Sequence, residues 1–198
     1  MSEEREYSPK RFAIASVVCP ACETKLDREA KWCDSCGFTG AKSLDLFGEN
    51  PPPLLPILDV ADFWNAKQQK RIEAAISSLK KRFPQINWRI CAVSLDQTIS
   101  LPLFGFWLMN VCPLLPEESE EDREWTVLLL IDAESGRASV TTGYGAEVWL
   151  SPEMWEKALM ETRDPFLRGQ NDKGVVDFLG VVRTLLEMAW KRSQKQIK

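Results

Sequence analysis

No histidine occurs among the 198 residues. That absence removes Ser-His-Asp and Cys-His catalysis, histidine-ligated zinc enzymes and imidazole acid–base chemistry. Any catalysis would rest on carboxylates, cysteine, lysine, hydroxyls or a metal held by oxygen or sulfur. There is no basic excess either. The net charge is −4 and the pI about 5.1, which leaves no electrostatic footprint for nucleic acid. The basic residues near the C-terminus (Lys191, Arg192, Lys195 and Lys198) read as a solvated helix end that complements the helix dipole. No apolar region follows the charged start Met-Ser-Glu-Glu-Arg-Glu, so no secretory signal is expected. The long uncharged run between Gln97 and Pro116 is interrupted by Pro102 and Pro113 and diluted by Ser100 and Asn110. A membrane span needs about 20 mainly apolar residues, so this run is expected to be a buried core helix. A cytoplasmic location follows as the expectation.

What is present is an ordinary globular composition, 44% hydrophobic and 27% charged. The length allows one full domain and a small accessory module. The sharpest motif is Cys19-Pro-Ala-Cys22, ten residues, then Cys33-Asp-Ser-Cys36-Gly37. Two Cys-x-x-Cys knuckles bring four thiolates to one ion, giving a closed tetrahedral zinc site. Two disulfides are the other reading, and they fit badly with a chain that lacks a secretion signal. Four thiolates leave no open coordination position, so this zinc is structural. In a ribbon this small, metal binding supplies the folding energy. The absence of a Lys and Arg cluster argues against DNA as its partner.

The expected organisation is a polar tail (1–16), a zinc ribbon (17–40), a Pro-rich linker (41–56), an α/β domain (57–192) and a short tail (193–198). Gly48, Pro51-Pro52-Pro53 and Pro56 favour a semi-rigid extended spacer. Ile72, Ile76, Leu79 and Phe83 share one face of a helix over 62–83, for which Asp59 or Asp62 is the candidate cap and Pro84 the stop. Trp88–Leu95 reads as a strand, and Leu101–Leu115 as a short buried helix. Cys91 and Cys112 lack knuckle spacing and read as core thiols. Glu117–Glu124 holds six acids against one arginine. It reads as a solvated loop, with an oxygen-ligand cation site around Asp122 as the alternative.

The centre of the domain is a hairpin. Val127–Ile131 is uniformly apolar, as a strand covered on both faces must be. Gly136 supplies the reversal, and Ala138, Val140 and Thr142 alternate with Ser139 and Thr141. The strand ends in Gly143-Tyr144-Gly145, where the backbone can bend or approach something closely. Glu147 follows, at a strand end of the kind where open α/β sheets hold ligands. Ser151-Pro152-Glu153 starts a helix, Asp164-Pro165 and Gly169 break the chain, and a last helix runs over 172–192. The fold class is therefore α/β: a three-layer α/β/α sandwich over a mixed sheet with one antiparallel hairpin, preceded by a small four-cysteine zinc ribbon.

The N-terminal motif, with Trp32 before its second pair, resembles the short bacterial zinc-ribbon family. From Ile57 to Ala189 the chain resembles the TPM family, which includes thylakoid-lumen acid phosphatases and photosystem II repair factors. The resemblance lies in the leucine-rich strand, then Val140-Thr141-Thr142-Gly143-Tyr144-Gly145-Ala146-Glu147. Pro165-Phe166-Leu167-Arg168-Gly169 and Lys173-Gly174-Val175 support it. It implies an α/β/α sandwich and, in some members, calcium or magnesium binding and metal-assisted phosphate-ester hydrolysis. By position, Glu147, Asp59 and Asp122 become the candidate catalytic acids, and Gly143, Tyr144 and Gly145 the close-backbone site loop. The chain departs from the pattern at Asp122-Arg123-Glu124-Trp125, which lacks a turn glycine, and at Ser151-Pro152-Glu153, where an aspartate is usual. The favoured expectation is an interaction module that meets a protein partner through the ribbon. The alternative is a metal-dependent phosphatase acting on phosphate monoesters.

Overall fold

The computed structural model describes residues 18–27 and 30–196. The tail expected over residues 1–16 and the last two residues lie outside the described residues. Four strands form one mixed sheet in the order β1 (Ile57–Asp59), β2 (Asn87–Val93), β3 (Thr126–Asp132), β4 (Ala138–Thr142). The first three are parallel, and β4 returns antiparallel to β3. Both central strands are buried along their whole length, which is why they read as near-continuous apolar runs. Gly136 takes φ +67° at the reversal, a conformation open to glycine at no steric cost.

Strict alternation sorts the strands onto two cores. Trp88, Ile90, Ala92, Val127, Leu129 and Ile131 face α2 (Ala66–Arg82), α6 (Pro152–Glu161) and α8 (Asn171–Gln196). Cys91, Val93, Leu128 and Leu130 face α3 (Leu101–Val111). The result is the expected α/β/α sandwich. The connections β1-α2-β2 and β2-α3-β3 step in the same direction across the sheet but lie on opposite faces. They therefore have opposite hands, and one departs from the right-handed rule.

Several local expectations are corrected. The first half of the expected linker is a helix, α1 (Gly40–Phe47), packed on α3 through Leu44 and Phe47. Only the proline stretch after it lacks regular structure. Neither Asp59 nor Asp62 caps α2. Asn65 does, accepting from the N–H groups of Lys67 and Gln68 while the Gln68 side chain accepts from the Asn65 N–H. That reciprocal box begins three residues inside the expected start. The acidic run is a helix in its second half, α4 (Glu120–Glu124), with a Ser119–Asp122 capping box. Pro165 does not break the chain but sits in the first turn of α7 (Arg163–Leu167), where its missing N–H costs nothing. The last helix runs on to Gln196, into the expected tail.

Gly105 lets α3 close onto the sheet. A Cβ there would lie 2.4 Å from Thr141 Oγ1 on β4. Overpacking costs about 1–3 kcal/mol, and alanine regains about 1 kcal/mol of helix propensity. Gly105→Ala is expected to lower urea-unfolding stability by about 1 kcal/mol, and adding Thr141→Ala to recover most of that loss in a double-mutant cycle.

Candidate metal centre

The two cysteine knuckles are copies of one backbone design. In the first, the Cys19 N–H donates to Thr24 O (2.9 Å) and the Glu23 N–H to Cys19 O (2.8 Å). In the second, the Cys33 N–H donates to Phe38 O (2.9 Å) and the Gly37 N–H to Cys33 O (2.7 Å). Glu23 and Gly37 occupy the same left-handed position, with φ of 60° and 67°. The turn curls each Cys-x-x-Cys so that both sulfurs face inward. A single antiparallel bridge, Val18 to Lys25, closes the first knuckle.

All four sulfurs lie within 4.8 Å of one another. Cys19 Sγ is 3.7 Å from Cys36 Sγ, and Cys22 Sγ is 3.6 Å from Cys33 Sγ. Two thiolates bound to one zinc at the tetrahedral angle lie about 3.8 Å apart, and no disulfide joins any of the six cysteines. The donor set and its spacing fit one tetrahedral zinc, held by Cys19, Cys22, Cys33 and Cys36. Without a cation four touching thiols cannot all ionise. The Thr24 hydroxyl and then its backbone N–H lower Cys22 to about 6. At Cys36 the Phe38 backbone N–H lowers the pKa, but burial and the neighbouring cysteines outweigh it and push the thiol up to about 12. A divalent ion removes that conflict by binding all four as thiolates. Cys19 and Cys33 are buried, while Cys22 and Cys36 are exposed. Cys91 and Cys112 are buried core thiols, pushed up by burial to about 12 and about 11.

The three candidate acids do not share a site. Since β4 is antiparallel, its end at Thr142 pairs with Val127 near the start of β3. Gly143–Glu147 therefore lies at the amino ends of the parallel strands. The carboxyl ends, where such sheets hold ligands, are on the opposite edge. Asp59 is on that opposite edge, level with Ala92. It stands about 16 Å along the strands from the Asn87 end, where Asp122 lies. Asp59 accepts from the N–H groups of Phe63 (2.8 Å) and Trp64 (2.9 Å), holding the chain between β1 and α2.

Asp122 is also committed. One oxygen accepts from the Ser119 N–H and hydroxyl and the other from Asn87 Nδ2. The Ser119 N–H first, then its hydroxyl and Asn87, hold the Asp122 carboxyl below the usual range. Of the three acids only Glu147 has a carboxyl with no hydrogen bond or ion pair among the described residues, and burial raises that carboxyl above the usual range. Burial, with Glu147 adding to it, also raises the Tyr144 hydroxyl.

The glycines of this loop are explained by the chain itself. A Cβ on Gly143 would stand 2.4 Å from the carbonyl oxygens of both Arg123 and Glu124. One on Gly145 would meet the Trp125 indole at 2.9 Å. The close approach read from the sequence is to the end of α4. The downstream motif has a similar origin, since a Cβ on Gly174 would enter the Phe166 ring at 2.7 Å.

Two buried polar features were not legible beforehand. Arg89, with its side chain 7% exposed, pairs with Glu118 under the sheet, and Arg123 donates to the Met109 and Cys112 carbonyls that end α3. On the other edge, Asp132 is fully buried. Burial opposes its ionisation, but hydrogen bonds from Ser135, Arg137 and the Leu95 and Glu134 N–H groups hold it below the usual carboxylate range. The only local signal for either was a charge at a strand position. No helix of the described residues is long and apolar enough to cross a membrane.

No protein-family model matches the chain, and no curated protein is similar to it. Among solved structures it is similar to the N-terminal domain of a protein from P. gingivalis, determined by solution NMR. The TM-score is 0.50 at 16% identity, over 73% of this chain and 87% of that one. A likeness at that identity shows the fold alone.

Two outcomes test this geometry. A non-glycine residue in the left-handed region costs about 1–2 kcal/mol. Gly37→Ala is therefore expected to weaken zinc binding about tenfold, whereas Glu23→Gly is not expected to weaken it, both read by competition with a chromophoric chelator. For Glu147 the folded carboxyl titrates above its ordinary 4.5. The resulting penalty is absent below 4.5, grows as pH rises toward the folded value, and is full above it. Glu147→Gln should therefore raise the urea midpoint at neutral pH and leave it unchanged in strong acid.

Proposed function

We propose that the chain is an interaction module: a zinc ribbon fixed to an α/β/α sandwich of the TPM type that has kept the family's shape without its acidic constellation. The observation that carries this reading is the dispersal of the three acids. Hydrolysis of a phosphate monoester by a bound metal needs carboxylates that converge on the ion. Here Asp59 lies on one edge of the sheet, Asp122 already accepts three hydrogen bonds from Ser119 and Asn87, and Glu147 is alone. The four thiolates by contrast form a closed centre, whose role is to hold structure and not to bind substrate. The side of the ribbon turned to a protein partner is its outer one, where Trp32 is 58% exposed. Its indole N–H donates to Asp34 at 2.8 Å, leaving the ring face open to an apolar contact.

Metal analysis and calorimetry of the purified protein test this. One zinc per chain is expected, with no second site for Mg²⁺, Ca²⁺ or Mn²⁺ and no turnover of p-nitrophenyl phosphate with any of these ions. Turnover that Glu147→Gln abolishes would replace the proposal with a metal-dependent phosphatase.

A further inference from the structure

The ribbon is built into the sandwich. Its two buried ligands, Cys19 and Cys33, pack with Phe38 against Leu103 of α3, and Ala21, Leu26 and Phe106 complete that cluster. Phe38 meets Phe106 edge to face, with ring centroids 5.8 Å apart. Ser100, the cap of α3, accepts from the Leu103 N–H and donates to the Pro20 carbonyl inside the first knuckle. The second knuckle runs directly into α1 through Phe38 and Thr39. Lys42 of α1 donates back to the Gly37 carbonyl at 2.6 Å. α1 then covers the rest of α3, with Phe47 against Phe104 at 5.1 Å and the Trp107 N–H on the Gly48 carbonyl at 2.9 Å.

α3 (Leu-Pro-Leu-Phe-Gly-Phe-Trp-Leu-Met-Asn-Val) is apolar on nearly every side, so it must be covered on every side. The sheet covers one side. The other is covered by the ribbon and by the helix that starts from it. A ribbon of this size keeps its fold only with metal bound.

We infer that the four-cysteine centre is a metal-dependent clasp on α3, so that the chain converts metal occupancy into cover or exposure of the outer face of that helix, Leu103 and Phe106 above all. This rests on the zinc reading proposed above and goes beyond it, because a ribbon on a spacer would gain or lose its ion without effect on α3. Coupling of this kind is reciprocal. If the ion holds the ribbon on α3, the docked face of α3 must also tighten the ion.

Hydrogen–deuterium exchange on the full chain, loaded with one equivalent of zinc or stripped by a chelator, tests the clasp. Stripping is expected to speed exchange across residues 101–111 about tenfold or more, to leave β2 and β3 slow, and to be reversed by zinc. Phe38→Ala and Phe106→Ala remove the same contact from opposite sides and leave all four cysteines in place. Each is expected to keep one zinc, to bind it about tenfold more weakly, and to lose the zinc dependence of α3 exchange. One zinc bound with identical α3 exchange in loaded and stripped protein would overturn the clasp and leave the zinc site standing. No zinc bound would overturn both.

Discussion

The structure turns on one requirement, that α3 is apolar on every side but the one where Asn110 meets water. Its eleven residues carry no charge, and leaving such a helix half exposed would forfeit about 1.5–3 kcal/mol for each large side chain left in water. The sheet satisfies the inner side through Leu128, Leu130, Cys91 and Val93. Cys19, Cys33, Phe38, Leu44, Phe47 and Leu54 pack on the outer side. The segment that looks like an accessory ribbon and a spacer is therefore a further layer, laid over α3 on this face of the sheet. It has too few apolar residues to make a core alone, and its four cysteines stand close enough that one bound ion would supply the missing stability.

The direction of β4 has the next largest consequence. An antiparallel return places the end of β4 beside the beginnings of its parallel neighbours. The Gly-Tyr-Gly loop and Glu147 thus go to the amino edge, while Asp59 stays on the carboxyl edge. In sequence, all three acids stand next to strand ends and look equivalent. The two edges differ in chemistry. At the carboxyl edge Asp132 anchors a turn among Ser135, Arg137 and backbone amides. At the amino edge Asn87 and Thr126 bond to Asp122 and tie α4 to the starts of β2 and β3, and Arg89 pairs with Glu118 just before α4. Burying Arg89 costs desolvation that lowers its pKa. Such a pair is weak evidence for net stability but costly to break from one side.

Much of the fold was legible because burial leaves periodic traces. Val127–Ile131 without a charge meant two covered faces, the alternation through Val140 marked a half-buried strand, and the apolar stripe of α2 fixed the side it presents to the sheet. Turns with a single chemical solution were also legible, at Gly136 and at Ser151-Pro152. The knuckles were the clearest of all, since Cys-x-x-Cys spacing suffices to aim two sulfurs at one point. Less of the acidic site could be read. Whether Asp59 or Asp122 is free depends on which backbone amides reach it, and those come from turns whose geometry no local pattern specifies. The glycines of the site loop misled for a related reason. A residue without a Cβ announces a close approach, but Arg123, Glu124 and Trp125 could be identified as what approaches only once α4 was in place.

Local chemistry alone thus determined the four-cysteine cluster, the identity of most helices and strands, and the layering of a mixed sheet between helices. These depend on spacing and periodicity over a few residues, which the covalent chain enforces. Tertiary structure decided which edge of the sheet each acid occupies, the opposite hands of the two parallel connections, and the docking of ribbon and α1 onto α3. Those depend on contacts between segments tens of residues apart, where any one segment is compatible with several partners and only the whole packing selects among them.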